Sequence, residues 1–301
     1  MTTALPPTPD ADPTGRPAPG AHLGESLTES FREGLRNGLR SNLRTWRPLD
    51  ELLGMLRLGE QMLTALVRSL LTRRFPVEEF LLQTWFTIRV CTLPALAVSM
   101  PFGVILALQV GVLAQEVGAV SFTGAGNTLA VVRQASPMIT ALMLAGVAGS
   151  AICADLGSRK IRDELDALEV MGIPVVERLL VPRMLATVVV AVLLNGVVMF
   201  FTILTTLTVS VVLQDLPPGA YLASVTTLAG LPDLWLSLVK AAIFAVMCTV
   251  IAAHKGLRVS AGPTGVGDAV TSAVVINFVA LFAANFAISQ IYSTVAGGPL
   301  G

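Results

Sequence analysis

Charge-free apolar runs occupy residues 90–115, 134–153, 184–213 and 269–294, and a further run over 234–253 is broken only by Lys240. Each is long enough for a bilayer crossing of about 20 residues. The pattern predicts an all-α integral membrane protein with five transmembrane helices. Pro94 and Pro101 lie inside the first run and predict a kink there. Two of the connections, 116–132 and 215–233, are rich in Gly or Pro and hold no Lys or Arg, so they read as loops. A third, 154–183, is the one long charged stretch of the second half, with Asp155, Arg159, Lys160, Arg162, Asp163, Glu164, Asp166, Glu169, Glu177, Arg178 and Arg183. Ile161, Leu165, Leu168 and Gly172 recur within it at helical spacing. This predicts an amphipathic helix over 158–173 between the second and third spans, with an ordinary solvated helix as the alternative reading.

Upstream of the spans the pattern changes twice. Residues 1–24 carry six prolines and no apolar stretch, which predicts a disordered tail and no signal peptide. In 25–47, Leu27, Phe31, Leu35, Leu39 and Leu43 fall every four residues, with Arg32, Arg36, Arg40 and Arg44 one step behind. A helix with an apolar strip beside a basic one suits the headgroup layer of an anionic leaflet. Residues 49–74 repeat the theme, and Arg57, Glu60 and Arg68 argue against a simple span. The expected organisation is therefore a tail (1–24), interfacial or elbow helices (25–83), a membrane domain (84–295) and a short C-terminal tail (296–301).

Basic residues set an orientation. Arg16 to Arg74 supply ten, 159–183 five, and Lys255 with Arg258 two, whereas the two loops between have none. Five spans with a cytoplasmic N-terminus and an extracytoplasmic C-terminus satisfy that alternation and put 154–183 in the cytoplasm. Trp85, Trp235, Tyr221 and Tyr292 sit near span ends, where an interfacial aromatic belt would place them.

Composition narrows the function classes. The chain of 301 residues is 53% hydrophobic and 13% charged, against about 25% charged in soluble domains; mean hydropathy is +0.74. A formal net charge of zero argues against nucleic acid as a partner. Cys91, Cys153 and Cys248 lie in apolar runs without paired spacing and read as small buried hydrophobes. With only His22 and His254, a metal site has little material. Gly262 to Asp268 lacks the Lys-Ser/Thr of a phosphate-binding loop, so no cofactor is expected on this chain, and any ATP and Mg would belong to another polypeptide.

Charges inside spans are costly and usually functional. Arg133 can reach the outer headgroup region, where lipid binding competes with snorkelling. Lys240, a third of the way into its span, reads as a cavity-facing amine for an acidic lipid head, with a structural partner such as Asp233 as the alternative. Gln109 and Asn195 suit a polar cavity or, preferably, hydrogen bonds between helices. Ala141, Ala145 and Gly149 recur every four residues, with Gly146 and Ser150 one step on. That stripe permits close helix packing, inside the chain or against a second membrane subunit.

The run RQASPMITALMLAGVAGSAICADLGSRKIRDELDALEVMGIPVVERLLVPR, followed by DLWLSLVKAAIFAVMCTVIAAHKG and SAGPTGVGDAVTSAVVINFVALF, resembles the MlaE/YrbE family, the permease subunits of lipid-transporting ABC systems that work with MCE-domain proteins. The likeness covers roughly 85–295 and looks closest to the actinobacterial YrbE branch, to the member encoded first of a pair. Two departures stand out: Gln134 replaces the family's usual Glu after Arg133, and Val147 replaces an Arg. The resemblance implies a non-catalytic permease in the inner membrane, paired with a second permease, a paralogue in preference to an identical copy. It also implies a separate cytoplasmic ABC ATPase dimer and MCE proteins outside. The 158–173 segment would be the coupling helix, with Arg162, Asp163, Leu165, Asp166, Leu168, Glu169, Met171 and Gly172 meeting the ATPase. Arg133, Gln134, Gln109 and Lys240 would serve the lipid. A scaffold that anchors MCE proteins without a transport path is the alternative; a lipid-modifying enzyme is disfavoured, because no nucleophile–base set lies at membrane depth.

Overall fold

A computed structural model describes residues 48–71, 76–260 and 262–295. The expected tail over 1–24, the interfacial helix over 25–47 and the C-terminal tail over 296–301 lie outside the described residues. The chain divides into two units, Met1–Leu53 and Gly54–Gly301, and the architecture below is that of the second.

Helix α1 (Pro48–Leu71) opens the described chain, and α2 (Val77–Glu116) follows as one helix through Pro94 and Pro101. At 1.5 Å per residue, its 40 residues extend about 60 Å, so the helix that holds the first apolar run starts well before residue 90. Helix α3 runs from Val120 to Ile161 and α5 from Val176 to Leu213, joined through the short α4 (Glu164–Val170). Then come α6 (Pro218–Leu228), α7 (Leu231–Leu257) and α8 (Pro263–Val295). No strand occurs among the described residues, and five helices are long and apolar enough to cross a membrane.

Helix α7 lies at the centre, packed on α3, α5 and α8, while α5 packs along α2. One core gathers Met55, Met62, Ile152, Leu156, Leu180, Met184 and Ile251. A second joins Cys91, Ile139, Leu144, Leu194, Val198 and Cys248. The three cysteines are buried free thiols. Helices α2 and α8 leave many large apolar side chains exposed, among them Leu93, Ile105, Leu113, Val279 and Phe286. Such surfaces suit hydrocarbon.

Helix α3 is not uniform. It begins with a 3₁₀ turn (Val120–Phe122) and contains two π-helical turns, Val131–Ala135 and Leu144–Ala148. A third π turn, Val176–Leu180, opens α5. Two of these turns immediately precede the helical segments in which Pro137 and Pro182 stand near the N-terminus. Proline has no N–H and crowds the carbonyl four residues earlier, and a wider turn accommodates it.

Both glycine- or proline-rich connections expected to be loops are largely helical. The start of α3 (Thr123–Ala130) packs against α6. A Cβ on Gly124 would come within 2.6 Å of the Tyr221 carbonyl oxygen and 2.4 Å of Ser224 Oγ. The glycine there permits close helix approach and does not break the chain. Tyr221, expected in an aromatic belt, is instead fully buried with its hydroxyl 2.9 Å from Thr206 Oγ1. Trp85 and Trp235 are exposed.

Candidate functional site

The π turn at Val131–Ala135 presents Arg133 and Gln134 to α7 and α8. Arg133 Nε donates to Asp233 Oδ1 at 2.6 Å, and its guanidinium carbon sits 5.5 Å from the centre of the Tyr292 ring. Tyr292 donates its hydroxyl to the same carboxylate oxygen at 3.2 Å, and Asp233 Oδ2 accepts the Gly230 N–H that starts α7. Lys240 is buried, and its Nζ donates to the Arg133 carbonyl (3.0 Å), Asn285 Oδ1 (3.2 Å) and Ser289 Oγ (2.8 Å). Gln134 completes the network: its Nε2 donates to Ser289 Oγ and its Oε1 accepts from Asn285 Nδ2.

The structure thus brings together three of the four residues singled out for lipid, but with altered roles. Lys240 is an internal strut whose donors are taken by the chain's own oxygens, not an open amine. Asp233, considered as a partner for Lys240, pairs with Arg133. That supplies from α7 the carboxylate which Gln134 cannot provide. Arg133 keeps 38% of its side chain exposed and Gln134 is exposed, so the accessible edge is cationic and amide. Gln109 lies apart, exposed on α2. Asn195 is buried, accepting from Ser136 Oγ and donating to Ser237 Oγ across three helices. Asn285 and Ser289 were missed from sequence and Tyr292 was read only as a belt residue, although their spacing puts all three on one face of the helix.

The small-residue stripe is absorbed within this chain. Ala141 and Ala145 pack with Phe244 and Leu281. A Cβ on Gly149 would meet Cys248 Sγ at 3.0 Å and Asn277 Nδ2 at 3.1 Å, and Gly146 faces Phe278.

The second region is the connection between α3 and α5. The single helix expected over 158–173 is two pieces, because α3 ends at Ile161 and Asp163 takes a left-handed conformation (φ 57°) before α4 begins. Gly172, at φ 75°, ends the connection helix in the left-handed conformation that glycine adopts without strain. Leu165 is only 3% exposed, packed with Val175 and Leu179, and Leu168 and Leu257 lie against them. These leucines fix α4 to the bundle, so Leu165 offers nothing to a partner. The apolar groups that do project are Met171 (64% exposed) and Val170 (89%), and Val170 was overlooked because its position falls off the apolar stripe. Asp163, Asp166 and Glu169 are exposed around them. Arg162 Nε binds Glu164 Oε1 at 2.7 Å, and that contact holds the Glu164 carboxyl below its ordinary range. Lys160 Nζ binds Asp166 Oδ1 at 2.6 Å.

Behind the connection lies a half-buried ion pair that sequence did not reveal: buried Arg183 Nη2 to Asp155 Oδ2 at 2.7 Å, with Arg159 Nε to Asp155 Oδ1 at 3.2 Å. Among the described residues no group of three or more His, Cys, Asp or Glu could hold a metal ion.

Comparison with known proteins gives a consistent result. The family model described as Permease MlaE matches residues 80–291. A protein named "Probable ABC transporter permease protein" of Synechocystis is 32% identical over 187 residues, covering 62% of this chain and 71% of the relative. The chloroplastic protein trigalactosyldiacylglycerol 1 of Arabidopsis thaliana is 31% identical over 176 residues, 57% of this chain and 49% of the relative. A similarly named permease of Rickettsia conorii is 27% identical over 205 residues, 68% and 79% of the two chains.

Proposed function

The chain belongs to the MlaE permease family, and from that premise, a multi-pass, non-catalytic ABC transporter subunit served by a separate ATPase, we propose that it carries a lipid across the inner membrane. In this reading the N-terminus and the 162–175 connection face the cytoplasm, as the distribution of basic residues supports. A second permease, a paralogue in preference to an identical copy, completes the cavity, and MCE-domain proteins exchange lipid with it on the outer side. The expected domain limits, 84–295 for the permease and 25–83 for the preceding elbow helices, belong to the same reading.

The observation that carries it is the shape of the connection. Leu165 pins α4 to the core through Val175 and Leu179, while Val170, Met171 and the carboxylates of Asp163, Asp166 and Glu169 stand exposed on a rigidly held piece. A small apolar anchor within a charged rim is what a docking contact needs. Movement of the ATPase would reach α3 and α5 directly, because α4 bridges them. At the outer end, the Arg133–Gln134 edge is suited to an anionic lipid headgroup. That a relative bears the name of a galactosyl diacylglycerol supports a lipid as cargo.

Replacing Asp163, Asp166 and Glu169 together by Lys is expected to release the ATPase in a pull-down while membrane insertion is kept. Undiminished co-purification would overturn the docking assignment.

A further inference from the structure

We propose that a second polar pocket, near the end of the bundle that carries α4, binds the phosphodiester of a membrane phospholipid headgroup. The cavity, about 230 Å³, is walled by Gln83 and Phe86 of α2, Ile152, Asp155 and Arg159 of α3, and Arg183 of α5.

Arg183 is the reason it needs a ligand. Its side chain is only 4% exposed, one nitrogen is bound to Asp155, and Nε and Nη1 find no acceptor among the described residues. Buried donors of a guanidinium left without acceptors are costly, and Arg183 is one of the residues that wall the cavity. Two guanidinium groups face one carboxylate there, so the pocket carries one surplus positive charge. A phosphodiester carries one negative charge and supplies the planar acceptor pair that Arg recognises.

Depth favours a lipid. Gln83 lies six residues from the start of α2, Asp155 six from the end of α3, and Arg183 seven from the start of the Val176–Leu213 helix. All three are therefore about 9–10 Å along from their helix ends, in helices longer than the hydrocarbon core requires. That is headgroup depth. Phe86 and Ile152 give the pocket an apolar wall for the first acyl carbons, and exposed Trp85 stands next to Phe86 in the chain. Asp155 is 22 residues from Arg133 along α3, about 33 Å. This site and the outer cluster are therefore at opposite ends of the span, and it depends on neither ATPase docking nor that cluster.

The test uses the full chain purified in nonionic detergent. It is titrated with phosphatidylglycerol, with diacylglycerol of the same acyl chains, and with inorganic phosphate, and bound molecules are read by native mass spectrometry. Phosphatidylglycerol should be retained over diacylglycerol. Arg159→Gln should weaken that retention on the order of tenfold. Asp155→Asn, which still accepts from Arg183 but removes the competing charge, should strengthen it severalfold. A purely structural ion pair predicts the opposite for Asp155→Asn: a lower melting temperature and no gain in lipid. If Asp155→Asn does not fold, Arg159→Gln, at a side chain 32% exposed, carries the test. Equal retention of both lipids, or phosphatidylglycerol retention unmoved by Arg159→Gln, overturns the proposal. Binding of inorganic phosphate without lipid overturns the lipid source.

Discussion

Lys240 Nζ donates to the main-chain carbonyl of Arg133 at 3.0 Å, within the π turn that leads into Pro137. In a regular helix that carbonyl would accept from residue 137, which is a proline. The buried lysine on α7 thus compensates for a proline on α3, and Asn285 and Ser289 of α8 hold it there. Lys240→Met keeps the volume but strands the carbonyl, and should destabilise the protein by about 1–3 kcal/mol. Pro137→Ala restores the missing donor, so the double variant should lose less than Lys240→Met does in the Pro137 background. Thermal unfolding of all four proteins closes the cycle, and strict additivity would refute this account of Lys240.

Asp233 receives Arg133, Tyr292 and the Gly230 N–H at once. Arg133 remains partly exposed, so the ion pair is worth less than a fully buried one. Asp233→Ala should still cost about 2 kcal/mol, because the helix-start contact is lost with it. Asp233→Asn keeps an acceptor for Gly230 and should cost roughly half as much. Equal losses in the two variants, measured by melting temperature, would place the whole effect in the charge.

How much of this was open to sequence reading follows from what periodicity can see. Apolar runs, four of them charge-free and one holding only Lys240, disclose five spans because each is a property of one segment. The Arg133–Asp233, Lys240–Arg133 and Asp155–Arg183 contacts join residues 100, 107 and 28 apart, and no single-helix pattern encodes them. The 116–132 connection reads as a loop because glycine usually breaks a helix, whereas at Gly124 it makes room for Tyr221 and Ser224 on α6. The 158–173 stripe was misread for a different reason. Ile161 and Leu165 have the right spacing for one helix, but the left-handed Asp163 between them turns α4 onto Val175 and Leu179.

Glycine positions separate the two roles sharply. A Cβ on Gly256 would stand 2.9 Å from Leu156 Cβ and 3.0 Å from the Cys153 carbonyl oxygen, while one on Gly196 would meet nothing within 4 Å. Gly256→Ala must push α7 away from α3 and should cost about 1–3 kcal/mol. Gly196→Ala, in the interior of α5, should stabilise by up to about 1 kcal/mol through helix propensity. Melting temperatures that move in the same direction would argue against this packing of α3 on α7.

Glu164 is exposed, and its carboxyl is lowered chiefly by the hydrogen bond from Arg162. A lowered folded-state value means that the pair's contribution is present above the unfolded value, about 4.3 for Glu, and is lost as pH falls through the lower folded value. The melting temperatures of wild type and Arg162→Gln should therefore differ at neutral pH and converge in acid. A gap that stays constant to low pH would show that Arg162 acts through packing instead.

The division of labour within α4 gives the most discriminating prediction. Leu165 is buried against Val175 and Leu179, whereas Val170 and Met171 project from the same short element. Leu165→Ala opens a cavity and should cost about 2–3 kcal/mol. Replacing Val170 and Met171 by Ser removes side chains that touch little of the bundle, so stability should stay within about 0.5 kcal/mol. If these two residues form the apolar anchor for the ATPase, the double substitution should nevertheless weaken co-purification by at least about tenfold. Stability and docking would then be separated within two turns of helix. Intact docking by the serine variant would move the ATPase contact off this face, whatever Leu165→Ala does to the melting temperature.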